Sequence, residues 1–135
     1  IWPVYGYIRS NYGWRIHPGT GKSQFHKGID IPSWIGAPVQ VTADGVIEFS
    51  GWGGGYGWLI VVTHDYGYRT VYAHLSENLV TEGTHVKKGS IIGKIGKTGL
   101  STGPHVHYEV KRWRRSLSPR TYLGLDLYTA ITKLW

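Results

Sequence analysis

The sequence predicts a mostly β domain built on an antiparallel sheet. Short runs rich in β-branched and aromatic residues recur along the chain, and turn sequences containing glycine separate them. The predicted strands cover residues 39–43, 46–50, 58–64, 69–74, 91–95 and 106–111. Regularly spaced short strands of this kind indicate an antiparallel arrangement.

Turn residues connect the predicted strands. Ala43, Asp44 and Gly45 form a tight turn, and residues 64–67 (His-Asp-Tyr-Gly) form a hairpin loop. Residues 51–57 (Gly-Trp-Gly-Gly-Gly-Tyr-Gly) are a loop that either flanks a cleft or forms a flexible hairpin tip. Its aromatic neighbours either line a groove or pack within strands, and they are Trp52, Tyr56 and Trp58.

Helix is expected only at the end of the chain. Ser118 followed by Pro119 is typical of an N-cap and the first helical residue, and Gly124 is available as a stop. Apolar residues recur there every three or four positions, at Leu123, Leu127, Ile131 and Leu134. We therefore expect a short C-terminal helix with a packing role.

Length and composition predict one globular domain. The chain has 135 residues, of which 41% are hydrophobic and 17% charged. No apolar run approaches the roughly 20 residues that cross a bilayer. The chain starts at Ile1 without a signal-peptide pattern, so we expect a mature form or a domain of a larger protein. Cysteine is absent, so any metal ligands must be nitrogen or oxygen atoms.

The histidine residues give the strongest indication of a functional site. His105 and His107 are two apart on a predicted strand and therefore share a face. His26 and Asp30 form a second cluster upstream, where the glycine between them favours a loop leading into a strand over a helix. With His74, these residues supply the ligand types that zinc takes in proteins. The combination predicts a metal site with histidines left over for chemistry.

Five ordered segments carry a family resemblance. They are residues 10–18 (Ser-Asn-Tyr-Gly-Trp-Arg-Ile-His-Pro), 25–31 (Phe-His-Lys-Gly-Ile-Asp-Ile), 70–75 (Thr-Val-Tyr-Ala-His-Leu), 86–89 (Val-Lys-Lys-Gly) and 96–110 (Gly-Lys-Thr-Gly-Leu-Ser-Thr-Gly-Pro-His-Val-His-Tyr-Glu-Val). In this order they resemble the lysostaphin/LytM-type zinc endopeptidases, which cut stem peptides and cross-links of bacterial peptidoglycan. The resemblance implies a β-rich fold and a single peptidase domain over residues 1–135. Its core would span about 5–123, and 124–135 would be a terminal extension.

The resemblance also implies roles for five residues. His26, Asp30 and His107 would bind one Zn²⁺ per chain, and His74 and His105 would be unligated catalytic histidines. Three protein ligands leave the fourth tetrahedral position open for water, as catalytic zinc sites require. The implied activity is hydrolysis of peptide bonds in peptidoglycan through a zinc-activated water.

Other residues keep alternatives open. No His-Glu-x-x-His motif is present. Glu109 either orients a ligand histidine or pairs with a basic residue on an exposed strand. We expect His17, His64 and His85 to be structural or exposed. Where relatives commonly carry asparagine, this chain has Trp58, which leaves open whether the cross-link is glycyl or D-alanyl–diaminopimelate.

Charge bears on location and partners. Fifteen basic and eight acidic residues give a net charge of +7, which favours attraction to an anionic surface such as a bacterial envelope. The densest basic run, residues 111–115, is not a nucleic-acid motif, so no specific nucleic acid is expected. A nucleic-acid binder would instead show salt-dependent binding that is indifferent to chelators.

We expect action outside the cytoplasm, in the periplasm, the cell envelope or the medium. An inhibitory segment or a regulator in the full-length protein would fit this family. The main alternative is a non-catalytic or latent module of the same fold with a wall-binding or regulatory role. Non-catalytic relatives of this kind lose zinc ligands, whereas a latent module keeps them and is blocked by a neighbouring segment.

Overall fold

The computed structural model describes residues 1–16 and 20–123. Within them the chain forms eleven strands and two 3₁₀ turns, at Gly54–Tyr56 and Asp65–Gly67. The strands are β1 (Gly13–Ile16), β2 (Ser23–His26), β3 (Ile29–Pro32), β4 (Pro38–Gln40), β5 (Gly45–Trp52), β6 (Trp58–Thr63), β7 (Tyr68–Asn78), β8 (His85–Val86), β9 (Ile91–Ile95), β10 (His105–Arg112) and β11 (Arg115–Leu117).

Nine of these strands form one antiparallel sheet, which confirms the predicted fold class. Its main path runs β11-β10-β7-β6-β5-β8, while β3 pairs with β10, β9 with β7, and β4 with β9. Strands β1 and β2 form a separate hairpin. Strand β3 therefore lies beside β10, although the two are far apart in the sequence.

The two faces of β10 have different environments because side chains alternate along a strand. Val106 and Tyr108 lie in the main hydrophobic core, together with Ile29 and Ile31 of the neighbouring strand. Burying an aliphatic side chain of this size stabilises the fold by about 1.5–3 kcal/mol. The histidines of β10 lie on the opposite face, so the core fixes the sheet from which they project.

All six predicted strands overlap observed strands, and β9 has the predicted bounds. The strand predicted at 39–43 is shorter, because residues 42–44 form a bend after β4. The hairpin loop at 64–67 joins β6 and β7 as predicted. Strand β3 is the strand expected after the loop at Gly28, and four strands of two to four residues were not predicted, namely β1, β2, β8 and β11.

The predicted terminal helix begins as expected. Residues 119–123 are helical, starting at Pro119. The rest of the predicted helix and its stop at Gly124 lie outside the described residues. In the part of the chain that is described, no helix is long and apolar enough to cross a membrane.

Candidate metal centre

A tight connection places two candidate ligands over β10. Strand β2 ends at His26 and β3 starts at Ile29, so Asp30 follows after a sharp corner. Gly28 occupies this corner, where a Cβ atom would lie 2.3 Å from the carbonyl oxygen of Tyr108. The corner can therefore approach β10 this closely only with glycine at that position.

Three candidate ligands converge at this corner. Asp30 lies directly opposite His107 in the pairing of β3 with β10. One ligand atom from each of His26, Asp30 and His107 lies within 4.8 Å of the others. His26 Nε2 is 3.3 Å from Asp30 Oδ2, and His107 Nδ1 is 2.8 Å from Asp30 Oδ1. The structure thus brings together the three residues named as zinc ligands by the sequence resemblance.

Hydrogen bonds orient both ligand histidines. His26 Nδ1–H donates to the carbonyl oxygen of Asn11 at 2.8 Å, which leaves the lone pair on Nε2. His107 Nε2–H donates to Glu109 Oε2 at 2.8 Å, which leaves Nδ1 facing Asp30. Metal-binding histidines in proteins are held by such bonds from the nitrogen that does not bind the metal. The donor set of two imidazoles and one carboxylate fits a zinc ion.

The electrostatics of the cluster favour a cation. Burial lowers the pKa of His107, but hydrogen bonds to Asp30 and Glu109 outweigh burial and raise this pKa to about 9. Burial raises the pKa of Asp30, yet bonds to His107 and His26 hold it well below its usual value. Positive charge is therefore stabilised between the two carboxylates, where a metal ion can replace the proton on Nδ1.

His74 and His105 lie beside this cluster. Their ring centroids are 4.9 Å apart, and His105 Nε2 is 3.7 Å from Asp30 Oδ1. His105 Nδ1–H donates to the carbonyl oxygen of Gly103 at 2.8 Å, and His74 Nδ1–H donates to that of Thr98 at 2.7 Å. Both rings therefore keep a basic Nε2.

His74 is held in its neutral form and in an unusual backbone conformation. Burial lowers its pKa, the bond to Thr98 opposes this effect, and the neighbouring His105 and His107 lower the pKa further. A neutral imidazole can accept a proton at neutral pH. The φ angle of His74 is 63°, in the left-handed region that non-glycine residues seldom adopt. Strained residues of this kind cluster at functional sites.

All five histidine and aspartate residues line one open cleft of about 750 Å³. The β1–β2 hairpin supplies one wall through Arg15 and Gln24. The other lining residues come from the glycine loop and the loop before β10, and they are Gly53, Gly55, Tyr56, Leu100 and Thr102. Residues 51–57 thus flank a cleft, as one of the two alternatives predicted.

The aromatic residues of the glycine loop divide between two environments. Tyr56 lines the cleft, and its hydroxyl donates to Glu109 Oε2 at 2.8 Å. Trp52 and Trp58 are not among the lining residues; they contact each other edge to face, with centroids 5.7 Å apart. The two alternatives left open for these aromatic residues therefore both occur: Tyr56 lines the cleft, and the two tryptophans pack against each other.

Glu109 is completely buried, so the exposed setting expected in one of its two alternatives is wrong, although the pairing with a basic residue expected there does occur, with Lys111. Its Oε2 accepts from His107 and Tyr56, and Lys111 Nζ lies 3.5 Å from Oε1. Bonds to His107 hold the pKa of Glu109 below its usual value although burial opposes this shift. The carboxylate is therefore ionised behind His107.

His64 and His85 lie away from the cleft. His64 Nδ1–H donates to the carbonyl oxygen of Asp44 at 2.7 Å, and His64 Nε2 lies 2.7 Å from Thr70 Oγ1. His85 is exposed in β8. His17 lies outside the described residues. Sequence reasoning assigned no role to Arg15, Gln24, Asn11 or Thr98; only the period-two alternation of the hairpin could have indicated the first two.

Comparisons with known proteins match this chain to one peptidase family. Residues 24–119 match the model of Peptidase family M23. The chain is 47% identical over 108 residues to DD-carboxypeptidase/endopeptidase Mpg of Neisseria meningitidis serogroup B. This alignment covers 80% of the present chain and 25% of the Neisseria protein. It is 42% identical over 95 residues to peptidoglycan DD-endopeptidase ShyC of Vibrio cholerae. This second alignment covers 70% of the present chain and 22% of the Vibrio protein. The chain thus spans about a quarter of the length of these relatives.

Solved structures show the same fold. A zinc-containing peptidase from Vibrio cholerae superposes with a TM-score of 0.82 at 39% identity, covering 87% of this chain and 37% of that one. The catalytic domain of lysostaphin from Staphylococcus simulans gives a TM-score of 0.73 at 34% identity, covering 88% and 90%. Together with the family match over residues 24–119, these likenesses show that the chain belongs to peptidase family M23, as its sequence motifs predicted.

Proposed function

We propose that this chain is a zinc-dependent endopeptidase that hydrolyses peptide bonds in bacterial peptidoglycan. One observation carries the proposal: ligand atoms of His26, Asp30 and His107 lie within 4.8 Å of one another in a cleft that also contains two basic imidazoles. A non-catalytic module would not need this complete set of residues. The printed names of the relatives, which include DD-endopeptidases, support the substrate class.

The metal would be held by His26 Nε2, Asp30 and His107 Nδ1. When bound, zinc acts as a Lewis acid that polarises a carbonyl group and makes water more acidic. Glu109 and the carbonyl of Asn11 keep the two imidazoles in the orientation that this binding requires.

His74 and His105 would transfer the protons of the reaction. Hydrolysis adds water across the C–N bond: the oxygen bonds to carbon, and a proton must reach the leaving amine. A neutral imidazole can take the proton from water on Nε2 and deliver it to the leaving amine, and the Nε2–H formed in between can stabilise the oxyanion of the tetrahedral intermediate. Carbonyl groups of Thr98 and Gly103 hold the two rings for these tasks.

We place this activity outside the cytoplasm, at the cell wall. The relatives named as peptidoglycan endopeptidases support this location, and a net charge of +7 would hold the domain near an anionic wall. Control of the site by another segment of the full-length protein or by a regulator stays a prediction.

The test combines metal analysis with digestion of purified peptidoglycan. We expect about one zinc per chain and release of cleaved peptides that a chelator abolishes and added zinc restores. Masses of the products identify the bond that is cut. Protein that takes up no zinc after loading, or that is loaded and leaves peptidoglycan of several cross-link types intact, would overturn the proposal.

A further inference from the structure

Besides His26, the β1–β2 hairpin places two further side chains, Arg15 and Gln24, at the cleft. In its antiparallel register Gly13 lies opposite His26, and Arg15 lies opposite Gln24. Residues two apart in a strand share a face, so Arg15 and Gln24 project on the same side as His26. Gln24 and its cross-strand partner Arg15 lie two residues along the hairpin from His26, a distance of about 7 Å. Both side chains line the cleft.

Two sets of contacts hold Arg15 in place. Its Nη1 donates to Ser10 Oγ, and the backbone of Ser10 is bridged to that of Asp30, whose N–H donates to the Ser10 carbonyl oxygen at 3.0 Å. The guanidinium is therefore linked through Ser10 to the strand that carries the metal-site carboxylate of Asp30.

Aromatic contacts fix the opposite face of the hairpin. Phe25 contacts Tyr12 and Trp14 edge to face, with centroids 5.1 and 5.3 Å away, and the Tyr12 hydroxyl donates to the carbonyl oxygen of Ser116 at 3.0 Å. These contacts attach the hairpin to β11. The Arg15 side chain thus projects from an anchored element.

The charge of Arg15 has no acidic partner among the described residues. The carboxylates nearest to the centre are engaged there, since Asp30 contacts the histidines and Glu109 contacts His107 and Tyr56. A guanidinium carries five N–H donors in a planar fork that fits a carboxylate with two parallel hydrogen bonds. The hairpin therefore presents an exposed cation with unused donors to the cleft.

We propose that Arg15, assisted by the Gln24 amide, binds a free carboxylate on a substrate residue next to the scissile bond. The inference rests on the proposed peptidase function and narrows its substrate class to acidic peptides. The offset of about 7 Å from His26 corresponds to about two residues of extended peptide. A D-alanyl–diaminopimelate cross-link has a free carboxylate beside the scissile amide, whereas a glycyl cross-link has none.

The test uses two synthetic cross-linked peptides that differ only at this carboxylate, free in one and amidated in the other. The zinc-loaded wild type should cleave the free acid with a kcat/KM about 10- to 100-fold higher, the range of a charge-assisted hydrogen-bonded pair. Because this contact is made in the bound substrate as well, the difference should fall mainly in KM.

Variants separate carboxylate binding from other effects. Arg15→Gln should remove the preference, because it lowers kcat/KM for the free acid by a much larger factor than for the amide, which offers the guanidinium only a neutral acceptor. Arg15→Lys keeps the charge but loses the fork, so it should retain part of the preference. Arg114→Gln removes the same charge from an exposed turn at the far end of β10 and should retain the full preference. Zinc content and thermal unfolding of each variant check that it is folded and loaded.

The outcomes distinguish the two proposals. Equal cleavage of both peptides by the wild type, or an Arg15→Gln variant that loses the same factor on both, would overturn the role of Arg15 and leave the peptidase function standing. If the zinc-loaded wild type cleaves neither peptide and no peptidoglycan, the proposed function fails, and this inference fails with it.

Discussion

The carboxylate of Glu109 lies 2.8 Å from His107 Nε2 and is completely buried on the same face of β10. An ionised carboxylate at this distance keeps a proton on His107 Nε2, so Nδ1, which lies 2.8 Å from Asp30 Oδ1, is the atom left for a metal ion to bind. Burying an unpaired charge is costly. The contacts of Glu109 with His107, Tyr56 and Lys111 offset this cost and stabilise the buried carboxylate.

Glu109→Gln should weaken metal binding about 10- to 100-fold, because an amide stabilises the required tautomer less than a carboxylate does. Competition for zinc against a chelator of known affinity measures this change. Glu77→Gln removes the same charge from an exposed ion pair with Lys94 and is the matched control. Equal zinc affinity in Glu109→Gln and wild type would contradict the orienting role.

Substitutions at the five cleft residues should divide into two classes. Replacing His26, Asp30 or His107 by alanine should remove both metal and activity, since each supplies a ligand atom. Replacing His74 or His105 by alanine should keep about one zinc per chain and lower kcat about 10²- to 10⁴-fold. Metal analysis and turnover are measured on the same samples. Metal-free His74→Ala or His105→Ala protein would show that the division of roles is wrong.

Gly57→Ala should lower turnover while zinc stays bound. An added Cβ would lie 2.4 Å from Thr98 Oγ1 and 2.5 Å from Thr98 C, and the Thr98 carbonyl holds His74. We expect a loss of stability of about 1–3 kcal/mol from overpacking and a fall in kcat as His74 loses its orientation.

Gly54→Ala is the control for this loop. Gly54 also has a positive φ, of 58°, but a Cβ there meets nothing within 4 Å. It should show only the backbone strain of about 1–2 kcal/mol and near-normal kcat. Similar kcat values for the two variants would contradict the link from Gly57 through Thr98 to His74.

The pH dependence of stability should depend in part on His64. Burial lowers the pKa of His64, and the bond to the Asp44 carbonyl only partly opposes this effect. Between the folded pKa and the unfolded value of about 6.5 the unfolded chain binds more protons, so stability falls as the pH falls through this window.

His64→Gln should therefore flatten the loss of unfolding free energy between pH 7.5 and pH 5.5. Urea unfolding at both pH values, with chelator present so that metal release does not contribute, measures the difference. His85→Gln, at an exposed position in β8, is the matched control. A slope in His64→Gln as steep as in the wild type would contradict the prediction.

Local patterns predicted the parts of the site that depend on one strand. Alternation along β10 places His105 and His107 on one face, and the glycine before Asp30 indicates the corner that follows His26. The side-chain period of a strand is a local property, so a single sequence reveals it.

Long-range contacts could not be predicted in this way. The carbonyl groups of Asn11 and Thr98 orient two histidines, but any residue type can offer a carbonyl group. Strand β3 is four residues long and is stabilised by pairing with β10, so its own sequence gives only a weak indication of a strand. Family motifs supplied the assignment that the residues alone left open.

The direct pairing of Asp30 with His107 joins two parts of the chain that are 77 residues apart. A metal bound to both Asp30 and His107 would act as a cross-link that closes the long loop between them. Because contacts between distant residues form more slowly than local hairpins, the metal site would be completed late in folding. A nascent or truncated chain that lacks β10 has only two of the three candidate ligands. The complete set of three candidate ligands would then form only after β10 has been synthesised and has paired with β3.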